Sequence, residues 1–391
     1  MMGFAVFYQH MPPFPGGAAL RGDAVVAALD ATLGPLGYRI RVVTAAGQPR
    51  RGDSVDIDVL PSSDVENAAK LAHRVGGELR LGWQVGRRLT RGRPAAAYIS
   101  SPAFLTALVA TLWCRARRVP YVLEVRDVYP QVYMHAGLLS ESSLVYRLLL
   151  AASKYMYAGA RRIVVVTQGL RAIVAPLANG VEVACIYNGY PQSLQHLRPP
   201  KHERFTVCFH GVLGFFQDIE TLIALAARLA PHDIDMVVIG YGRKESLLRG
   251  ELPGNLRFLG RLAFERTVAE VARCHVGLCL RLQDEISRDA FPIKVWEYLG
   301  LGMPSIVTPP CEAGRFVEEH GCGYQLPAGD IEALLRTIFA LRSDPQRIAA
   351  IAQHCEVVSA EYSRERTGMQ VAQLVLQTLR DSERDRKTLA G

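Results

Sequence analysis

Apolar residues along the chain fall into short runs separated by glycine turns and by amphipathic stretches of helical length. That alternation occurs twice. The run at 3–9, GFAVFYQ, reads as a buried strand. It leads through Pro12, Pro13, Pro15, Gly16 and Gly17 into an Ala/Leu-rich helical stretch at 21–33. Strand, glycine turn, helix is the opening of a doubly wound α/β domain, and paired glycines let backbone amides approach a ligand closely. Further strands are predicted at 38–44, 56–60, 95–101, 121–125, 162–167 and 183–187. The intervening stretches at 64–93, 103–118, 144–160 and 168–177 read as helices.

From 191 to 204 the composition shifts to Pro191, Pro199, Pro200, Gln192 and Gln195, as in a linker. The same grammar then restarts. Strands are predicted at 205–210, 235–240, 256–259, 276–280, 305–307 and 322–326. Helices are predicted at 219–229, 267–274, 292–299, 330–342, 345–359 and 363–380, with a charged tail at 381–391. The pattern therefore predicts an α/β chain of two doubly wound domains, 1–190 and 191–362, followed by a last helical segment, 363–391.

At 391 residues and 49% apolar content, the chain can bury two cores. The opening MMGFAVFYQHMPP lacks a basic start and a long apolar core, so it does not read as a signal peptide. The most apolar helical stretch, 103–114, is far short of the ~20 residues a membrane span needs. Eight cysteines are scattered without Cys-x-x-Cys or Cys/His ligand spacing, which predicts reduced thiols in a cytoplasmic protein. The net charge of +8 is uneven: residues 1–190 hold 21 Lys+Arg against 12 Asp+Glu, and the remainder 24 against 25. A basic first half suits an anionic partner or a solvated arginine-rich surface. Within it, residues 70–93 interleave Lys70, Arg74, Arg80, Arg87, Arg88, Arg91 and Arg93 with Leu71, Val75, Leu79, Trp83 and Leu89. That is either a helix with a buried stripe and a wet basic face or a peripheral contact with an anionic membrane.

The densest chemistry lies at 284–308, DEISRDAFPIKVWEYLGLGMPSIVT. Pro292 suits the start of a short helix, Gly300 and Gly302 its end, and Pro304 forbids continuation. Asp289 and Glu297 flank Lys294. Carboxylates suit a ligand's hydroxyls; a cation at a helix N-terminus suits its phosphate. A second cluster, Glu124, Arg126 and Asp127, stands at the end of a predicted strand, where open α/β sheets bind ligands. Gly240 and Gly242 follow another strand, but no third glycine completes a dinucleotide fingerprint, which argues against a dehydrogenase.

Eight segments in order carry a resemblance: VLEVRDVYPQ (122–131), IVVVTQGL (163–170), IYNGYP (186–191), FHGVLGFFQDIETLI (209–223), VVIGYGRKESL (237–247), NLRFLGRL (255–262), FPIKVWEYLGLGMPSIVT (291–308) and GCGYQLPAGDIEALL (321–335). With them the chain resembles the family 4 glycosyltransferases of the GT-B fold, especially bacterial members that build surface polysaccharides. The resemblance implies two Rossmann-like domains facing across a cleft, the second binding a nucleotide-sugar and the first an acceptor, with the last helix crossing back to the first. It implies a retaining, metal-independent transfer of a hexose-type sugar, from a UDP-sugar by preference, with no cofactor. The acceptor would be a glycan or a polyprenyl-diphosphate-linked sugar at the inner membrane face. No recognition motif accompanies the basic first half, so nucleic-acid binding is not expected.

Residue by residue, the family's Glu-x7-Glu pair corresponds to Asp289, a departure, and Glu297, which would hold the ribose. Lys294 would meet the diphosphate at the helix opened by Pro292 and Ile293, with Arg281 and Arg243 in reserve, because the turn Gly211 to Gln217 has no cation where the family often carries Arg and Lys. Gly211, Gly214 and Gly240 would approach the donor, as would Gly16 and Gly17 in the first domain. Backbone at Gly260, Arg261 and Leu262 would meet the base. Arg126 and Asp127 stand where the family's histidine near the sugar is expected. Asp289, Lys294, Asp127 and Arg126 are thus the catalytic candidates. A nucleotide-sugar epimerase of the same shape, or a non-catalytic nucleotide-sugar-binding relative, fits the same features.

Overall fold

The computed structural model describes residues 2–14, 17–47, 52–60, 71–101, 103–135 and 137–390. Gly16 and residues 61–70, including Lys70, lie outside the described residues. By internal contacts the chain divides into two compact units, Met1–Asn188 with Arg364–Gly391, and Gly189–Ser363.

In the first unit the strands are β1 (Met2–Phe7), β2 (Tyr38–Thr44), β3 (Val55–Val59), β4 (Ala96–Ser100), β5 (Tyr121–Val125), β6 (Arg162–Val165) and β7 (Val183–Cys185). They pair in the order β3-β2-β1-β4-β5-β6-β7, every neighbour parallel. Its helices are α1 (Gly17–Leu33), α2 (Leu71–Leu89), α3 (Phe104–Ala116), α4 (Gln131–His135), α5 (Leu144–Ala158) and α6 (Gln168–Val174). The second unit holds β8 (Thr206–Val212), β9 (Asp235–Tyr241), β10 (Leu256–Phe258), β11 (Val276–Leu280), β12 (Ser305–Thr308) and β13 (Gly323–Gln325), ordered β10-β9-β8-β11-β12-β13. Its helices are α7 (Ile219–Leu229), α8 (Phe264–Ala272), α9 (Glu285–Arg288), α10 (Ile293–Gly300), α11 (Glu312–Glu319), α12 (Ile331–Ser343) and α13 (Pro345–Ser359). The chain ends in α14 (Arg364–Ala390), which belongs to the first unit. Each sheet reverses its order once, between β1 and β4 and between β8 and β11, and such switch points open a crevice at the carboxyl ends of the strands.

Strand alternation sorts the first unit's core into two layers. Phe4, Val6, Tyr98 and Val122 pack with α1 and with Val371 and Val375 of α14; Ala5, Phe7, Ile99 and Leu123 pack on the other face with α2 and α3. At the end of β5 the side chain of Glu124 is fully buried and accepts from Arg21 Nε at 2.6 Å and Tyr98 OH at 2.8 Å. Burial opposes its ionisation, but Arg21 and then Arg126 hold its carboxyl below the usual range.

The expected charged tail is helix instead. Arg162 pairs with Asp381 at 2.8 Å and Arg161 with Asp385 at 2.9 Å, and Ser382 is buried, so polar residues continue α14 by lacing it to the start of β6. Among the described residues, no helix is long and apolar enough to cross a membrane.

Candidate functional site

The segment 284–308 folds around two helices. Asp284 caps α9 by accepting from Ser287 N at 2.7 Å. Pro292 is the N-cap of α10, extended at φ −62° and ψ 137°, and supplies no side-chain cap. Its carbonyl accepts from Val295 N at 3.0 Å, so the amides it leaves uncapped at the positive end of the helix dipole are those of Ile293 and Lys294. Lys294 and Glu297 are three residues apart and share one face of α10. Both are buried, at 8% and 6% exposure.

Lys294 Nζ donates to Gln217 Oε1 at 3.1 Å and sits 3.5 Å above the Phe209 ring. Its Cε comes within 3.5 Å of where a Cβ on Gly211 would lie. The turn after β8 has no cation of its own, yet α10 delivers one to it. Gly211 is in the left-handed region at φ +117°, so the turn needs glycine there. A Cβ on Gly240 would fall 2.1 Å from Gly211 O, which fixes glycine at the end of β9 as well. Burial pushes the Lys294 ammonium down to about 8, with Arg281 acting in the same direction and Cys279 and Glu297 against it.

Neither Gln217 nor His210 is among the site residues expected from the sequence. Gln217 holds Lys294 through its side chain and accepts from Lys244 Nζ through its carbonyl at 2.9 Å. His210, on β8, brings Nε2 to 3.5 Å from Glu297 Oε2 and lies edge-on to Tyr298. Burial, then the charge of Lys294, pushes the imidazole down to about 3. The ring is therefore neutral at ordinary pH, and its contact with Glu297 is not an ion pair. Its Nε2 is buried without a hydrogen-bond partner in the protein. The only signals for these two residues are their places in FHGVLGFFQD, at the end of a strand and the end of a turn.

Arg281, one residue beyond β11, is buried; its Nε donates to Ser287 Oγ at 3.0 Å and its guanidinium lies 5.7 Å from the Phe216 ring. Arg243 lies over Phe215 at 4.8 Å and Arg261 over Tyr241 at 4.5 Å. Arg243 and Lys244 lead into a single 3-10 turn, Glu245–Leu248, with Lys244 at its N-cap. Gly214 accepts from Gln217 N at 3.2 Å, closing the turn. Gly260 has φ +65° and its carbonyl accepts from Gly240 N at 2.9 Å; Leu262 is half-buried beyond it. Asp289 is the C-cap of α9, and its carboxylate is engaged by Arg288 Nη2 at 3.1 Å.

The second unit thus brings together Lys294, Glu297, His210, Gly211, Gln217 and Arg281, with Pro292 and Ile293 at the helix entrance. Arg126, Asp127 and Gly17 belong to the first unit. There Arg126 is half-buried and Asp127 exposed. Surrounding protein pushes the Asp127 carboxyl up against the pull of Arg126, and solvent reaching the side chain weakens that shift. Both Asp-x-Asp spacings in the chain spend their carboxylates on arginines: Asp56 and Asp58 on Arg39 and Arg88, Asp233 and Asp235 on Arg204.

Comparison with known proteins identifies what the chain is similar to. Residues 16–189 match the family model described as a glycosyl transferase 4-like domain, and residues 204–344 match glycosyl transferases group 1. A curated relative, the probable glycosyltransferase WbjE of Pseudomonas aeruginosa, is 24% identical over 236 residues, covering 56% of this chain and 58% of that protein. The chain thus matches little more than half of that relative's length. Among solved structures, Anabaena Alr3699/HepE in complex with UDP and glucose superposes with a TM-score of 0.68 at 16% identity, over 96% of this chain and 100% of that one. The sucrose-phosphate synthase of Thermosynechococcus elongatus gives 0.72 at 15% identity, over 96% and 99%. WaaG, a glycosyltransferase involved in lipopolysaccharide biosynthesis, gives 0.63 at 13% identity, over 95% and 99%. At these identities the structures establish the fold.

Proposed function

Because the chain belongs to the family 4 glycosyltransferases of the GT-B fold, we propose that it transfers a hexose-type sugar from a nucleotide-sugar to a glycan or lipid-linked glycan, with retention at the anomeric carbon. A UDP-sugar is the favoured donor. One observation carries the reading: a buried lysine and a buried glutamate on one face of α10, the lysine reaching the glycine turn after β8.

In this reading the donor's diphosphate lies at the front of α10. Lys294 and the first amides of the helix take up the negative charge that grows on the leaving diphosphate as the sugar–oxygen bond breaks. They do so in place of a metal ion. Glu297 accepts from the ribose hydroxyls, and neutral His210 beside it adds a ring nitrogen that the protein itself does not satisfy. Arg281 and Arg243 flank the diphosphate. Asp289 faces the sugar and must exchange Arg288 for sugar hydroxyls. Backbone around Gly260 to Leu262 meets the base. The acceptor binds the first unit, where Asp127 positions or deprotonates its hydroxyl with Arg126 alongside.

A panel of UDP-, GDP- and ADP-sugars, assayed for nucleotide release with and without candidate acceptors, tests this directly. Acceptor-dependent release supports transfer. Epimerised donor with no release points to an epimerase, and binding with neither result to a non-catalytic relative.

The pH dependence follows from Lys294. The charged ammonium is the form that binds phosphate, so kcat/KM for the donor falls as pH rises past about 8. The unliganded fold responds with the opposite sign. Its lysine releases its proton earlier than the unfolded chain's does, so this group adds stability as pH rises from about 8 towards the ordinary lysine value. In Lys294→Arg, which stays charged, the alkaline fall in kcat/KM disappears. If the fall persists unchanged in that variant, another group causes it. No limb from His210 appears between the usual histidine value and about 3.

A further inference from the structure

Helices α2, α3 and α5 form one layer over the first unit's sheet. Glu78 of α2 accepts from Leu105 N of α3 at 3.2 Å, and a Cβ on Gly86 would fall 2.4 Å from Trp113 Cδ1, so the two helices run parallel in close contact. Trp83 meets Trp113 edge-on at 6.2 Å. Arg115 covers the Tyr155 ring at 4.0 Å, joining α3 to α5.

The outer side of this layer combines two features. The first is apolar. Val75, Leu79 and Trp83 stand at i, i+4 and i+8 on α2, all exposed, Trp83 at 49%. On α5, Leu144 is 71% exposed, Val145 52% and Leu148 61%. These are not core rows turned outward by chance, because each helix already supplies a different row to the core, with Leu81, Val85 and Leu89 on α2 and Met156 and Tyr157 on α5. The second feature is charge. Among the described residues of the three helices, every exposed charged side chain is a cation: Arg74, Arg80, Arg87, Arg115, Arg147 and Lys154. Their acid, Glu78, is turned inward at 6% exposure.

We infer that this face docks on the surface of an anionic lipid bilayer. Head-group phosphates satisfy the guanidiniums, and the acyl boundary takes the leucines and the indole. A nucleic-acid duplex matches the charge but offers nothing to the exposed leucines of α5. An acidic protein matches either feature only with a complementary apolar patch of its own. The segment 70–93 alone showed the charge; the structure adds α3 and α5 and settles that Val75, Leu79 and Trp83 face outward.

The inference does not rest on the transferase reading, and its test needs no sugar. The full chain is sedimented with vesicles of phosphatidylglycerol mixed with phosphatidylcholine, and with phosphatidylcholine alone. Binding to the anionic vesicles is expected to be about tenfold stronger at low salt and to weaken as salt rises. Tryptophan emission shifts to the blue on binding, because Trp83 is the exposed indole. Leu144→Glu/Leu148→Glu and Trp83→Glu each weaken binding by about tenfold. The melting temperature of the leucine double variant holds, because exposed positions carry little stability; Trp83→Glu gives up its edge contact with Trp113 and is compared once circular dichroism shows it folded. Absence of binding to anionic vesicles at low salt overturns the inference. So does binding that survives both variants unchanged, or a DNA duplex that binds as tightly as the vesicles with no emission shift on either.

Discussion

Replacing Lys294 by alanine lowers kcat/KM for transfer by about 10²–10³-fold, the usual cost of removing one donor aimed at developing negative charge. The loss is expected in kcat as well as KM, because the diphosphate gains charge as its bond to the sugar breaks, so the ammonium binds the transition state more strongly than the substrate. The fold survives the change. A buried ammonium, depressed to about 8 by desolvation, is a load on the native state, and its removal leaves Gln217 Oε1 at a site that water can reach through the shortened side chain. Lys294→Met separates charge from bulk. It keeps most of the stem while removing the ammonium that lies over Phe209, and should be as inactive as alanine. Circular dichroism and thermal melting establish that each variant is folded before turnover is compared. Wild-type turnover in either variant removes Lys294 from the site.

Glu297→Ala weakens donor binding by about 10- to 100-fold, from a charge-assisted hydrogen bond of about 1.5–3 kcal/mol to the ribose. Here the effect falls on KM, with kcat changed less, since the ribose carries no charge that develops in the reaction. Glu297→Gln recovers part of the loss. It keeps an acceptor oxygen, and its amide can face His210, whose neutral ring tolerates an uncharged neighbour. A donor lacking the ribose hydroxyls should bind wild type and Glu297→Ala alike. If it still discriminates between them, the carboxylate acts elsewhere than on the ribose.

The fold was legible because strands buried on both faces read as continuous apolar runs, as in GFAVFYQ and DMVVIG, and YRIRVVT, whose Arg39 stays exposed, kept enough Val and Ile to become a parallel strand too. Short helices were not. α4 and α9 are barely a turn long, and α11 is capped by Cys311, a residue type that does not announce a helix start. α14 outran its apolar pattern because ion pairs to β6 replace packing beyond residue 380.

In the site, the i, i+3 spacing already placed Lys294 with Glu297. What the sequence could not supply was the partner on the facing turn. Gln217 and His210 are 77 and 87 residues from Lys294 and Glu297, and only the pairing of β8 with β11 and the seat of α10 bring them close. The direction of Asp289 was equally hidden, since a carboxylate beside Arg288 can point to the ligand or to its neighbour. On α2 the chain offers two apolar rows. Gly82 and Gly86 decide between them by letting α3 approach one side, which leaves Val75, Leu79 and Trp83 outside.

The central claim is that a nucleotide-sugar is held through its diphosphate by Lys294 at the front of α10. The most direct measurement is calorimetric titration of wild type and Lys294→Ala with the nucleoside diphosphate of the preferred donor and with its monophosphate. The account predicts that wild type binds the diphosphate at least about tenfold more tightly than the monophosphate, a charged hydrogen bond's worth, and that this preference shrinks by about that factor in the variant. An undiminished preference for the diphosphate in Lys294→Ala contradicts it.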